Sequence, residues 1–310
     1  SLLFLLPLTA LVVLLGPVFA PKNNTSAAGM LEADPIAILS QPENSIDLLF
    51  LGDSEAYSGF VPMELWQDYG IASFVCACVD QKPYETEAFL KAALERQSPK
   101  VVVLETNVLY RVYSRVDRIV PAAQRLFPVL RYHSRWKSLT LRDLQSPEYT
   151  GDYPDRGYHL LLSADPRKDL EGYMAPTDAR EALSGANLRS LRNISNLCRE
   201  KNIRLILYSV PSPENWSMAR HNTMEDLARE LGVLYLDGNL ESRDIDWDRD
   251  TYDNGDHLNY YGAAKITRWL GDFLSDALPD HRGEAAYTAW DRDLAALPER
   301  IQAKIEETKE

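Results

Sequence analysis

Cysteine is scarce. The 310 residues hold three thiols, Cys76, Cys78 and Cys198. They match no zinc-ligand spacing, and Cys76-Ala77-Cys78 is too close for a Cys-x-x-Cys redox pair, so buried structural thiols are expected. A basic surplus is lacking too: the formal net charge is −13, which argues against nonspecific nucleic-acid binding. The acidic stretch Asp244, Asp246, Asp248, Asp250 and Asp253 lacks the glycine and terminal glutamate that an EF-hand needs at set places. It reads as a solvated loop. No charge at all interrupts Leu2–Ala20. About 20 apolar residues suffice to span a bilayer as a helix, and a cleaved signal has a shorter apolar region. An uncleaved, single-pass membrane anchor over residues 1–20 is the expectation, with the rest of the chain outside the cytoplasm.

What is present is ordinary for a globular chain: 45% apolar and 25% charged residues. Residues 21–45 read as a polar linker. Asn-x-Ser/Thr sequons stand at Asn23, Asn193 and Asn215. From residue 46 to 283 short apolar runs alternate with helical periodicity. Strands are expected at Ile46–Leu51, Ala72–Val79, Lys100–Leu104, Ile203–Val210 and Val233–Asp237. Helices are expected at Phe60–Tyr69, Tyr84–Gln97, Leu188–Lys201, Met218–Leu231 and Tyr261–Leu274. Such alternation implies a parallel sheet covered on both faces. Residues 110–180 form an insertion without a clear strand. Between Arg111 and Arg142 its only acid is Asp117, among many arginines and several aromatics. This asymmetry fits a solvated helical face, or a surface for anionic lipid headgroups, an anionic polymer or a protein partner. Residues 284–310 read as a charged helix on the surface or trailing from it.

The stretch Leu48-Leu49-Phe50-Leu51-Gly52-Asp53-Ser54 puts a serine at the carboxyl end of a buried strand, where ligands bind in open α/β sheets. A serine hydroxyl needs a base, and the base needs a group to orient it. Among the histidines, His133, His159, His221, His257 and His281, only His257 sits in a loop directly before a late helix, on the same sheet edge as Ser54. Asp253 and Asp256 are both near enough in sequence to orient it. Candidate oxyanion donors are the backbone N–H of Ser54, an N–H near Cys78, and the side-chain amide of Asn107. Asp53 reads as a turn residue and Asn259 as the cap of the final helix.

Gly52-Asp53-Ser54 after an apolar strand, together with the late loop ending His257-Leu258-Asn259 and Gly262, resembles the SGNH (GDSL-type) hydrolase superfamily over roughly Asp47–Leu274. Asn107 stands where that family carries its asparagine. Two departures are visible. Asn254, not an acid, lies three residues before His257, and Val75-Cys76-Ala77-Cys78 offers no counterpart of the family's glycine. With its apolar N-terminus and insertion, the chain is similar to the cell-envelope branch, which includes the D-alanyl transfer protein of teichoic acid modification and the acetylation proteins of alginate synthesis. The resemblance implies a three-layer α/β/α sandwich and cofactor-free acyl-ester chemistry on an envelope polysaccharide. It also implies an acyl donor and a membrane-bound O-acyltransferase as partners. Two other readings remain open: a non-catalytic module that binds polymer or acyltransferase through the basic insertion, and a secreted lipolytic esterase.

Overall fold

The computed structural model describes residues 2–24, 28, 30, 33–149, 153–241 and 244–307. In chain order it begins with α1 (Leu2–Phe19) and α2 (Ala33–Ile36), then β1 (Leu48–Gly52), α3 (Ser54–Gly59) and α4 (Pro62–Tyr69). There follow β2 (Ser73–Ala77), α5 (Pro83–Ala93), β3 (Val101–Glu105), α6 (Arg115–Leu126) and α7 (Pro128–Tyr132). The rest is α8 (Gly185–Glu200), β4 (Arg204–Ser209), α9 (Met218–Leu231), β5 (Leu234–Asp237), α10 (Gly238–Glu241), α11 (Tyr260–Leu274), α12 (Thr288–Ala295) and α13 (Leu297–Glu307).

The chain divides into two units, residues 1–40 with 112–152, and residues 41–111 with 153–310. The larger unit is built on a five-stranded parallel sheet in the order β2-β1-β3-β4-β5. Strands β1, β2 and β3 are buried along their whole length, which is why they read as unbroken apolar runs rather than alternating ones. Helices α3 and α4 pack with α11, and α5 packs with α8. Right-handed crossovers put helices that run toward β2 on one face and those that run toward β5 on the other. The result is an α/β architecture with a covered parallel sheet. Phe50 stacks on Phe60 at a centroid distance of 4.2 Å, and Tyr208 meets Phe60 edge-on at 5.4 Å.

Local chemistry sets the helix ends. Pro62 opens α4 and Gly70, at φ 66°, closes it. Ser217 caps α9 and Gly232, at φ 68°, ends it. Asn259 caps α11 by accepting from the N–H groups of Tyr261 and Gly262.

Several expectations change. Among the described residues, no helix is long and apolar enough to cross a membrane, so the spanning anchor over residues 1–20 is not found. α1 has 18 residues, with Pro7 and Pro17 inside it. The linker is not plain coil, since it carries α2 and a turn that buries Ala37 and Ile38. The C-terminal segment does not trail. Trp290 and Leu297 are buried, Trp66 lies 5.2 Å from Trp290, and its Nε1 donates to Asp291. The acidic loop is less solvated than expected, because Asp250 is buried against Lys265 at 2.6 Å and caps the N–H of Asp246. The insertion also splits: residues 112–152 join the N-terminal segment, while 153–180 belong to the sheet unit.

The order 2-1-3-4-5 makes the β1/β3 boundary a topological switch point, where neighbouring chain ends diverge and leave a crevice. Gly52 ends β1 there. A Cβ at Gly52 would lie 2.7 Å from both Ala56 Cβ and Glu105 Cβ, so the close approach of α3 and β3 requires glycine. Gly52→Ala is expected to destabilise the protein by about 1–3 kcal/mol through overpacking, measurable as a lower urea midpoint with unchanged slope.

Candidate active site

Asp53 leaves β1 and caps α3 by accepting from the N–H of Glu55. Ser54 is thereby the first residue of a helix, buried at 6% exposure. The Asp53 carboxylate is fully buried and pairs with Arg111. Arg111 follows β3, and its Nη2 lies 3.5 Å from Ser54 Oγ. A guanidinium therefore reaches the serine hydroxyl from the second strand of the switch point.

Glu55 and Glu105 stand beside this pair, both fully buried. Burial raises the Glu55 carboxyl well above the usual carboxylate range, and the charges of Glu105, Asp53 and Asp256 push the same way. Glu105 is raised well above its range by burial and then by the charge of Asp53, although it accepts from the N–H groups of Asn107 and Val108. For both groups burial favours the neutral form. Glu55 Oε1 accepts from Asn107 Nδ2 at 3.1 Å and from Asn215 Nδ2 at 2.7 Å. Asn215 also donates to Asp256, which ties the far loop to the start of α3.

That loop brings His257 into the same cluster. Asn254 and Gly255 take left-handed backbone conformations, φ 55° and 90°. They absorb the extra residue between acid and histidine. Asp253 consequently folds back on His257, with Oδ1 accepting from the His257 N–H at 2.6 Å and Oδ2 lying 2.7 Å from Nδ1. Asp256 Oδ2 is farther from Nδ1, at 3.7 Å. Burial disfavours a charged imidazole, but the Asp253 hydrogen bond and the charges of Asp256, Asp253 and Asp53 outweigh it and raise the His257 pKa. The other ring nitrogen, Nε2, is buried and has no hydrogen-bond partner among the described residues. It makes no bond to Ser54 Oγ.

The remaining oxyanion candidates are engaged. The N–H of Cys78 donates to Gln81 Oε1 at 3.1 Å, so Cys78 is not available as expected: the turn after β2 folds Gln81 back onto it. Asn107 is buried, with Nδ2 on Glu55 and Oδ1 accepting from Arg220 at 3.1 Å. Asp253, Asp256 and His257 each offer one ligand atom within 4.8 Å of the others, a trio that could hold a metal ion. A metal on Nδ1 would have to displace the Asp253 bond.

No protein-family model matches the chain, and no curated protein matches it. Solved structures do. The lipase/acylhydrolase from Enterococcus faecalis is 10% identical, with 76% of this chain and 98% of that chain covered at a TM-score of 0.42. A GDSL-like lipase from Bacteroides thetaiotaomicron VPI-5482 is 11% identical, covering 74% and 88% at 0.38. The psychrotrophic esterase EstA from Pseudoalteromonas sp. is 11% identical, covering 74% and 94% at 0.38. Likeness at this level leaves the chemistry to the chain's own residues.

Sequence reasoning missed Arg111, Glu55, Asn215 and Arg220. Arg111 was grouped with the basic insertion, although it shares a strand-end loop with Asn107, and that shared loop was the available signal. Asn215 stood out only as a sequon. Its bonds cross 160 residues to Glu55, and no local pattern encodes them.

Because the Asp253 bond favours the protonated ring, Asp253→Asn is expected to lower the His257 pKa and carry its titration to lower pH. Proton NMR of the imidazole across the acid range would show the shift, and an unchanged midpoint would exclude Asp253 as the controlling partner.

Proposed function

We propose that the protein is a serine acyl-ester enzyme. Ser54 Oγ attacks the acyl carbonyl carbon and its proton passes to His257 Nε2. Asp253 holds Nδ1–H and stabilises the imidazolium that forms. The carbonyl oxygen, now an oxyanion, accepts from the Ser54 N–H at the start of α3 and from Arg111 Nη2. His257 returns the proton to the departing alcohol. Water or a sugar hydroxyl then opens the acyl-enzyme, giving esterase or transferase activity respectively.

One observation carries this reading. His257 has Nδ1 fixed by Asp253 while the buried Nε2 has no partner among the described residues. An unmet buried polar group costs about 1–3 kcal/mol, and such groups call for an explanation such as a catalytic role. An envelope polysaccharide as acceptor, a membrane-bound O-acyltransferase as partner and an extracytoplasmic location extend the proposal. They rest on the sequence resemblance.

A second reading, a non-catalytic binding module, draws on a different observation. The side-chain neighbour of Ser54 Oγ is Arg111 rather than His257, and Cys78 and Asn107 are both engaged.

Ser54→Ala is expected to lower hydrolysis of an acetyl ester reporter by a factor on the order of 10⁶ and to abolish labelling by a fluorophosphonate. Arg111→Ala should cost about 10²-fold in kcat with KM little changed. A wild-type protein that neither labels nor turns over esters would favour the binding module.

A further inference from the structure

The smaller unit carries a surface that the proposed chemistry does not use. Within it α1 packs on α7, and a Cβ at Gly16 would lie 3.1 Å from Pro128. Arg135 ties the end of α1 to the connector, donating to the Phe19 carbonyl at 2.6 Å and to Asp143 at 2.7 Å. The unit is therefore built rather than loose, yet it turns apolar side chains outward. Of the twenty large apolar residues exposed among the described residues, fourteen lie in it.

Their arrangement is not scattered. Val116, Ile119 and Val120 share one face of α6 by their i, i+3, i+4 spacing, and that face is exposed, with Val116 and Ile119 each at 64%. Leu126, Trp136 and Leu141 are exposed as well. Lys137 lies over the Trp136 ring at 5.4 Å, an aromatic side chain beside a cation. Exposed apolar area on this scale marks an interaction surface.

Charge selects the occupant. Residues 1–40 and 112–152 hold eight Lys and Arg against six Asp and Glu, while the other unit holds 25 against 40. An anionic surface attracts the first and repels the second. We propose that the smaller unit is a monotopic membrane-docking element. The exposed side chains of α1 and α6 enter the headgroup–acyl boundary of an anionic bilayer, with Trp136 and its neighbouring basic residues at the interface. This is independent of the acyl-ester reading.

The test is vesicle co-sedimentation of the full 310-residue chain. The wild type should bind equimolar phosphatidylcholine–phosphatidylglycerol vesicles, bind phosphatidylcholine alone far more weakly, and be released by high salt. Lys137→Glu with Arg142→Glu should weaken binding by about fivefold for each basic residue. Val116→Asp with Ile119→Asp should abolish insertion, read as loss of the tryptophan blue shift, with circular dichroism confirming the fold. Wild-type binding indifferent to both phosphatidylglycerol and salt would overturn the proposal. So would retention of full binding by the α6 variant, which would leave α1 acting alone. A stable dimer by light scattering, lost in that variant, would assign the surface to a second copy and overturn it too.

Discussion

Glu55 is a carboxyl group taken out of water at the junction of three chain segments. Its burial favours the neutral acid, and Asn107 from the end of β3 and Asn215 from the loop after β4 both donate to its Oε1. Asn215 reaches on to Asp256, which neighbours His257. Without that carboxyl, the Asn107 amide would lose its acceptor, and Asn215 would no longer tie the far loop to α3. Every proposed role of Ser54 therefore depends on the residue next to it.

The same crowding explains the charges around the serine. Asp53, Glu55 and Glu105 are fully buried acids packed at the switch point, and Asp53 forms an ion pair with Arg111. Burial pushes all three carboxyls up, and the charge of Arg111 opposes it at Asp53 and Glu105. Arg111 is held by Asp53 in a position that also reaches Ser54 Oγ. A structural ion pair thus leaves a donor where an acyl oxyanion would form.

The far loop is rigid for reasons of its own. Thr251 bridges antiparallel to Leu258, its hydroxyl donates to the His257 carbonyl at 3.1 Å, and the N–H of Gly255 donates to that hydroxyl at 2.6 Å. Ser212 Oγ donates to the Asp256 carbonyl at 2.9 Å. With both ends clamped, the left-handed pair Asn254-Gly255 sets which acid faces the imidazole.

The strands, the helices that cover them and the Gly-Asp-Ser turn were legible in the sequence, because burial on both faces writes continuous apolar runs and helices write a 3.6-residue period. So were Ser54, His257 and the two acids beside it as candidates, since a parallel sheet puts the start of α3 and the loop before α11 at one sheet edge. Choosing between Asp253 and Asp256 required backbone angles at residues 254 and 255. The reach of Arg111 and the Glu55–Asn215 link were decided only by tertiary structure, since hydrogen bonds between distant segments leave no periodic trace. The apolar N-terminal run was plain from sequence, but its packing partners were not. Whether such a run crosses a bilayer or lies along one depends on which faces neighbouring helices leave uncovered, and hydropathy alone does not encode that.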